Sequence, residues 1–220
     1  MLTLKEVKNN PQVLEFINQT ESSMEALGYT EHGLRHANLV SRRAQMMAKE
    51  IGLSKNGQEI TAIAGFCHDM GNFLGRSQHH YWGALLFHQI FQKDFLPKEL
   101  SWIMQAIVNH DKYTMKLTNP ISAIVVIADK SDVSRSRVRI SSLEELKTDI
   151  HDRVNYAATK SDLRVNRLKK QIILTIKIDR KYVPIMEYFE IFTERMAYCR
   201  RAADYFGYKF SLVINNFKLL

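Results

Sequence analysis

The stretch Ala64-Gly65-Phe66-Cys67-His68-Asp69-Met70-Gly71 constrains this chain more than any other. An apolar segment closes on adjacent histidine and aspartate, and a glycine follows almost at once. Neighbouring residues on a helix project about 100° apart, so His68 and Asp69 can converge on one ion at the helix edge while the residues before them stay buried. An imidazole nitrogen and a carboxylate oxygen suit a borderline or hard divalent cation. The plainer alternative is an aspartate that caps or hydrogen-bonds beside a partly buried histidine. Where the other histidines and aspartates fall decides between them.

From Thr30 a capping residue opens a helix whose apolar positions Val40, Ala44, Met47 and Ile51 keep helical spacing until Gly52 stops it. Extended backwards by four residues, that stripe reaches His36. His32 lies a further turn back and competes as a ligand; His36 is preferred because it continues the stripe directly. Gln58 to Met70 is a short, nearly all-apolar helix with Ile60 and Ala64 in line with His68. Its small residues Ala62, Ala64 and Gly65 allow neighbours to approach closely, as in the central helix of a bundle.

After the loop from Asn72 to Ser77 a helix begins at His79-His80. His80, Ala84, Phe87 and Phe91 line one face, while His79 shares another with Gly83, Leu86 and Ile90; spacing alone leaves either as the inward one. Further on, His88 reads as a structural histidine. Leu96-Pro97 breaks this helix, and the next aligns Leu100, Ile103 and Ile107 with His110. His110-Asp111 thus repeats a polar pair at the end of an apolar helix. Asn119-Pro120 opens one more, and the run from Ile121 to Ala128 delivers Asp129. A carboxylate there needs a partner, because an unpaired buried charge is very costly; a metal ion or Lys130 would serve. Asp132 follows one turn on, then Arg135, Arg137 and Arg139 with spacers between them.

The flanking parts read differently. Residues 1 to about 30 form a helix broken at Asn9-Asn10-Pro11 and resumed from Gln12 to Leu27. A helix from Leu143 to about Ile150 closes the bundle. Beyond it Leu163 and Val165, then Ile172, Leu174, Ile176 and Ile178, alternate with the two-residue period of strands around a turn at residues 167–170. Pro184 starts a long helix through Phe206, and Tyr208, Phe210, Leu212 and Ile214 alternate again. The expectation is a mainly α protein: a helical bundle over residues 1–150 and a small α+β unit, strand-strand-helix-strand, over 151–220. Those strands would serve a sheet within one chain or pair across a two-fold axis in a homodimer.

With 220 residues the chain has room for one substantial core, or one domain and a small appendage. A net charge of +8 favours anionic ligands. The basic residues are dispersed and not interleaved with aromatics, which disfavours a nucleic-acid groove. No uncharged apolar stretch has the length of a bilayer span, and the N-terminus lacks a basic region followed by a hydrophobic run, so a soluble cytoplasmic protein is expected. The two cysteines, Cys67 and Cys199, lie far apart in apolar patterns. They indicate no disulfide framework, and Cys67 is expected to pack behind the site.

The ordered pattern His36, His68-Asp69, His80, His110, Asp129 resembles the HD-domain metal-dependent phosphohydrolase superfamily over roughly residues 30 to 140. It carries a histidine followed four residues later by an aliphatic (His36, Val40), then His68-Asp69-Met70-Gly71, then an aspartate closing an apolar helix (Asp129). The tail resembles the C-terminal portion of some uncharacterised bacterial HD proteins. The resemblance implies an all-helical bundle and a first metal site made by His36, His68, Asp69 and Asp129. It implies a second metal held by His80 and His110 with Asp69 shared, His80 being preferred for its His-x-x-Gly-Ala setting. Two divalent ions per chain are expected, drawn from Mn, Fe, Co, Ni, Zn or Mg. The substrate would be a small phosphorylated molecule or nucleotide. Arg76, Lys130 and Arg137 are candidate phosphate ligands, Asp69 is the catalytic carboxylate, and Asp132 is a candidate for orienting water or substrate.

The chain also departs from its relatives. Superfamily members that cleave cyclic dinucleotides, and the superfamily's oxygenases, often carry lysine where this chain has Asn72, and no Gly-Tyr-Pro motif is present. A di-iron oxygenase and a non-catalytic ligand sensor or scaffold are the competing readings.

Overall fold

The computed structural model describes residues 2–111, 116–139, 144, 146 and 148–219. Their contacts separate two compact units, Met1–Asp129 and Lys130–Leu220. Nine α-helices and one four-stranded sheet occur among the described residues, making the protein mainly α with a small α+β part. None of these helices is long and apolar enough to cross a membrane.

In the first unit the helices are α1 (Leu4–Lys8), α2 (Pro11–Ala26), α3 (Leu34–Ile51), α4 (Lys55–Cys67), α5 (His79–Phe91), α6 (Pro97–Asn109) and α7 (Pro120–Lys130). Two of them are apolar on every side over most of their length. All residues from Ile60 to Asn72 are buried, as are all from Ile121 to Val133, and a helix without a polar face is stable only when enclosed. Around α4 the core gathers Ile60, Ile63, Phe66 and Met70 with Val13 and Ile17 of α2, Phe87 and Phe91 of α5, and Ile103 and Ile107 of α6. Each such side chain contributes about 1.5–3 kcal/mol on burial. The two enclosed helices are also those whose C-terminal ends carry His68-Asp69 and Asp129.

Local chemistry sets the helix starts. Asn10 accepts hydrogen bonds from Gln12 N and Val13 N ahead of α2, with Pro11 in the first helical position. The start of α3 differs from the sequence expectation: the helix begins at Leu34, not Thr30. The Glu31 carboxylate accepts from Gly33 N at 2.9 Å and His36 N at 3.3 Å, and is held by Arg35 at 2.6 Å. A carboxylate outside the first turn thus satisfies amides that a Thr30 cap would otherwise serve. His36 therefore sits in the first turn, and His32 lies outside the helix.

Two glycines permit close approach. A Cβ on Gly65 would stand 3.2 Å from Ala44 Cβ and 3.3 Å from Ser41 Cα, so α3 and α4 pack nearly backbone to backbone. A Cβ on Gly71 would stand 2.3 Å from His79 O and 2.4 Å from Gly83 N, a space that hydrogen alone can occupy.

The second unit contains α8 (Ile150–Ala157), β1 (Ala158–Asn166), β2 (Gln171–Ile178), α9 (Ile185–Asp204), β3 (Lys209–Ile214) and β4 (Phe217–Lys218). The sheet order is β1-β2-β3-β4. β1 and β2 form an antiparallel hairpin with Leu163 opposite Leu174. β2 and β3 are parallel with Leu174 opposite Leu212, which requires a crossover, supplied here by α9. β3 and β4 pair antiparallel around Asn215-Asn216, both at positive φ (49° and 73°), a turn that asparagine tolerates. β4 is too short for periodicity to reveal. Tyr188, Phe192, Met196, Cys199 and Ala203 form the buried stripe of α9.

By their contacts the two compact units divide after Asp129. The segment after α7 packs with the sheet unit: Ser161 Oγ donates to Ser131 O at 2.7 Å, and the Arg135 guanidinium lies over the rings of Tyr156 and Tyr182. Asp149 caps α8 through His151 N and Asp152 N. The start of the expected helix at Leu143 lies outside the described residues.

Candidate metal centre

Five helix ends deliver the site. His68 and His110 occupy the positions just past the last turns of α4 and α6, His79 opens α5, and Asp129 lies in the last turn of α7. His36 comes from the first turn of α3 and Asp69 follows His68. All six are buried: His36 and His68 are fully so, and Asp69 and Asp129 remain 7% and 9% exposed.

The imidazoles are oriented by backbone carbonyls. Nδ1 of His68 donates to Gly65 O at 2.9 Å, Nδ1 of His110 to Ile107 O at 2.6 Å, and Nδ1 of His79 to Arg76 O at 2.9 Å. A carbonyl only accepts, so each Nδ1 carries hydrogen and each Nε2 offers its lone pair to the cluster. Gly65 and Ile107 are otherwise among the carbonyls that a helix C-terminus leaves without an intrahelical donor.

The Nε2 atoms then crowd around the two oxygens of Asp69. Asp69 Oδ2 lies 3.2 Å from His68 Nε2 and 3.5 Å from His36 Nε2. Those nitrogens are 3.2 Å apart, and Asp129 Oδ1 is 3.7 Å from His68 Nε2 and 3.4 Å from His36 Nε2. On the other side, Asp69 Oδ1 lies 3.3 Å from both His79 Nε2 and His110 Nε2, which are 3.1 Å apart. Ligand atoms about 2.0–2.2 Å from a shared ion stand roughly 3.0–3.5 Å from each other. Lone pairs pointed at one another at these separations repel unless a cation or a proton lies between them, so the donor set fits divalent metal. Three groups can each hold an ion: His36-His68-Asp69, His68-His110-Asp129 and Asp69-His79-His110.

Electrostatics follow from burial against charge. Burial alone would raise the Asp69 carboxyl, but the His68 charge and hydrogen bonds from His110, His36 and His68 outweigh it and hold it well below the usual carboxylate range. Burial works against a charged His68, yet Asp69 and Asp129 lift it to about 10. For His110, burial and the neighbouring His68 charge prevail over the Asp69 hydrogen bond and lower it to about 4. Without metal His68 therefore holds a proton between Asp69 and Asp129, while His110 is neutral. Burial also pushes the Cys67 thiol up, consistent with packing behind the site.

The sequence preference for His80 is corrected. The buried stripe of α5 runs His79, Gly83, Phe87, Phe91, because Gly83 is the residue that lets α5 meet Gly71 and Ile107. His80 is one step round the helix, partly exposed, and belongs to none of the three groups. His32 is likewise in none of them; its Nδ1 lies at Thr30 O.

Asn72 and Asp111, to which the sequence assigned no role in the site, join the candidate phosphate ligand Arg76 at the second side. Asn72 Nδ2 donates to Asp69 Oδ1 at 2.9 Å, and Arg76 Nη1 donates to Asn72 Oδ1 at 3.0 Å. Arg76 Nη2 reaches Asp111 Oδ2 at 3.3 Å, and that oxygen is 3.8 Å from His79 Nε2. The doublet His110-Asp111 was the available signal for Asp111. In the second unit Lys130, Asp132 and Arg137 are buried. Arg137 Nη1 donates to Asp132 O at 3.1 Å, with its Nε 3.9 Å from Asp132 Oδ2.

The HD domain family profile matches residues 33–155. Over 158 residues the chain is 27% identical to an uncharacterised protein of Methanocaldococcus jannaschii, a match covering 61% of this chain and 61% of that protein. The chain thus spans about three fifths of the length of the curated relative it matches.

Proposed function

The chain belongs to the HD-domain family, and from that premise we propose that it is a metal-dependent phosphohydrolase with a binuclear site, cleaving a phosphate ester or nucleotide in the cytoplasm. One observation carries this reading: the two oxygens of Asp69 face two different pairs of imidazoles, His36/His68 and His79/His110. A carboxylate so placed suits a bridge between two ions. His36, His68, Asp69 and Asp129 would hold the first ion; Asp69, His79 and His110 the second. Divalent ions held there would supply a hydroxide nucleophile near neutral pH and would neutralise charge on phosphoryl oxygens.

The protein's own groups supply the rest. The Nδ1 bonds of His68, His79 and His110 fix tautomer and ring direction, which raises ligand basicity and keeps the donors in place without reorganisation. The second side has fewer protein donors than the first, which leaves room for water and substrate. Arg76, 31% exposed at its side chain, stands at that side with a planar fork suited to phosphate. Lys130 and Asp132, one and three residues after Asp129, are assigned to phosphate binding and to orienting water or substrate. Arg137 holds Asp132, so its part runs through that carboxylate.

The test is a screen of phosphate monoesters, diesters and nucleotides with Mn2+, using wild type and Asp69→Ala. Loss of both metal binding and turnover in the variant is expected. An Asp69→Ala protein with full activity would sink the proposal.

A further inference from the structure

Asn72 stands in the turn that follows the ligand helix and is 1% exposed. Its Nδ2 donates to two atoms of Asp69, Oδ1 at 2.9 Å and the backbone O at 3.0 Å. Both atoms only accept, so the amide nitrogen must face them and the carbonyl must face away. There it accepts from Arg76 Nη1. Arg76 in turn reaches Asp111, whose carboxylate returns to His79. The result is a chain along the second side of the site, Asp69-Asn72-Arg76-Asp111, whose last carboxylate lies 3.8 Å from His79 Nε2.

An amide serves this position because it donates to a carboxylate and accepts from a guanidinium at once. A carboxylate would repel Asp69, and an ammonium would repel Arg76. The terminal torsion of aspartate is broad and roughly two-fold, so a carboxylate that serves two ions needs its plane fixed by something besides the ions. His36 and His68 approach Oδ2, and His79 and His110 approach Oδ1 from the ligand side; Asn72 donates to Oδ1 at a shorter distance than either imidazole.

Resting on the binuclear reading, we propose that Asn72 is a positioning residue. It sets the plane of Asp69 so that one oxygen serves each ion, and it ties that carboxylate to Arg76. The second ion and the substrate phosphate are then held by one hydrogen-bonded chain, with Asp111 the counter-ion that phosphate displaces from Arg76.

The experiment uses Mn2+ and inorganic phosphate as probes on the full chain: wild type, Asn72→Leu, Asn72→Ala and Arg76→Met. Leucine matches asparagine in shape without its donor, and alanine decides the matter if the leucine variant does not fold. In both Asn72 variants the second Mn2+ should bind about 10–100-fold more weakly, with the first unchanged. The spin-coupled Mn–Mn signal should give way to that of isolated ions, and phosphate affinity should fall about tenfold. Arg76→Met should lose phosphate affinity while keeping the coupled signal. A folded Asn72 variant that binds two Mn2+ and phosphate as wild type does would overturn this inference alone. A wild type that binds a single Mn2+ would overturn the binuclear reading and the inference with it.

Discussion

Adding one methyl group at Gly71 tests how the bundle holds its second set of ligands. The backbone there is ordinary (φ −90°, ψ −5°), so alanine meets no conformational strain and any effect is one of space. Its Cβ would stand 2.3 Å from His79 O and 2.4 Å from Gly83 N, whereas non-bonded atoms settle at about 3.5–4.0 Å. Something must move by about 1 Å. The end of α4 is enclosed on all sides, while α5 has Tyr81, Trp82 and Leu85 at the surface, so α5 yields and carries His79 with it. Metal sites tolerate about 0.2 Å in ligand distance, so the pairing of His79 with Asp69 Oδ1, now 3.3 Å, fails. His36, His68 and Asp129 come from α3, α4 and α7 and keep their places. Overpacking of this kind costs about 1–3 kcal/mol, or about 2–12 °C in melting temperature for a chain of this size. The assay is thermal melting with elemental analysis of the Mn-loaded protein. Gly65→Ala, whose Cβ would be only a few tenths of an ångström too close, should cost less and keep the second ion. A Gly71→Ala protein that melts as wild type does and keeps both ions would refute the reasoning.

Metal binding should release a proton. Burial opposes charge on His68, but Asp69 and Asp129 hold its proton up to about 10 in the metal-free protein, so apparent affinity should rise about tenfold per pH unit between pH 7 and 9; calorimetry in buffers of different ionisation enthalpy counts the proton. For stability the sign runs the other way. His68, raised above its ordinary 6.5, stabilises the metal-free fold fully below that pH and loses the effect as pH climbs through about 10. Asp69, depressed below 3.8, stabilises above that pH and loses the effect on acidification, so melting temperature without metal should peak between about pH 4 and 6.5 and flatten in a His68→Gln/Asp69→Asn double variant. The Tyr188 hydroxyl is fully buried with no hydrogen-bond acceptor among the described residues; Tyr188→Phe should stabilise by about 1–3 kcal/mol, seen in urea melts. Cys67 and Cys199 are both buried, so a thiol reagent should label neither in the native protein and both after denaturation.

Much of this was legible in the sequence because burial and helical periodicity carry it. The all-apolar runs before Asp69 and Asp129 announce enclosed helices, and the alternation at Leu163–Val165 and Ile172–Ile178 announces the hairpin that forms. What was hidden depends on atoms far apart in sequence. Whether His79 or His80 turns inward hangs on Gly83 meeting Gly71, which no spacing within α5 reveals. Asn72 looked like a missing lysine, and only the positions of Arg76 and Asp111 show what an amide does there. The start of α3 was misplaced because Glu31, not Thr30, supplies the acceptor for the first amides. The division after Asp129 was hidden because Ser131 and Arg135 pack on Ser161 of β1, Tyr156 of α8 and Tyr182 in the turn after β2, all far along the chain.

The central claim is a pair of ions sharing Asp69, and metal content tests it most directly. Protein purified without a metal-affinity tag would be loaded with Mn2+, freed of excess and measured as metal per chain for wild type, His79→Ala and His80→Ala. Two ions in wild type and in His80→Ala, with one in His79→Ala, is the predicted result. A wild type with one ion or none, or a protein that loses an ion with His80 and keeps it without His79, would contradict the account.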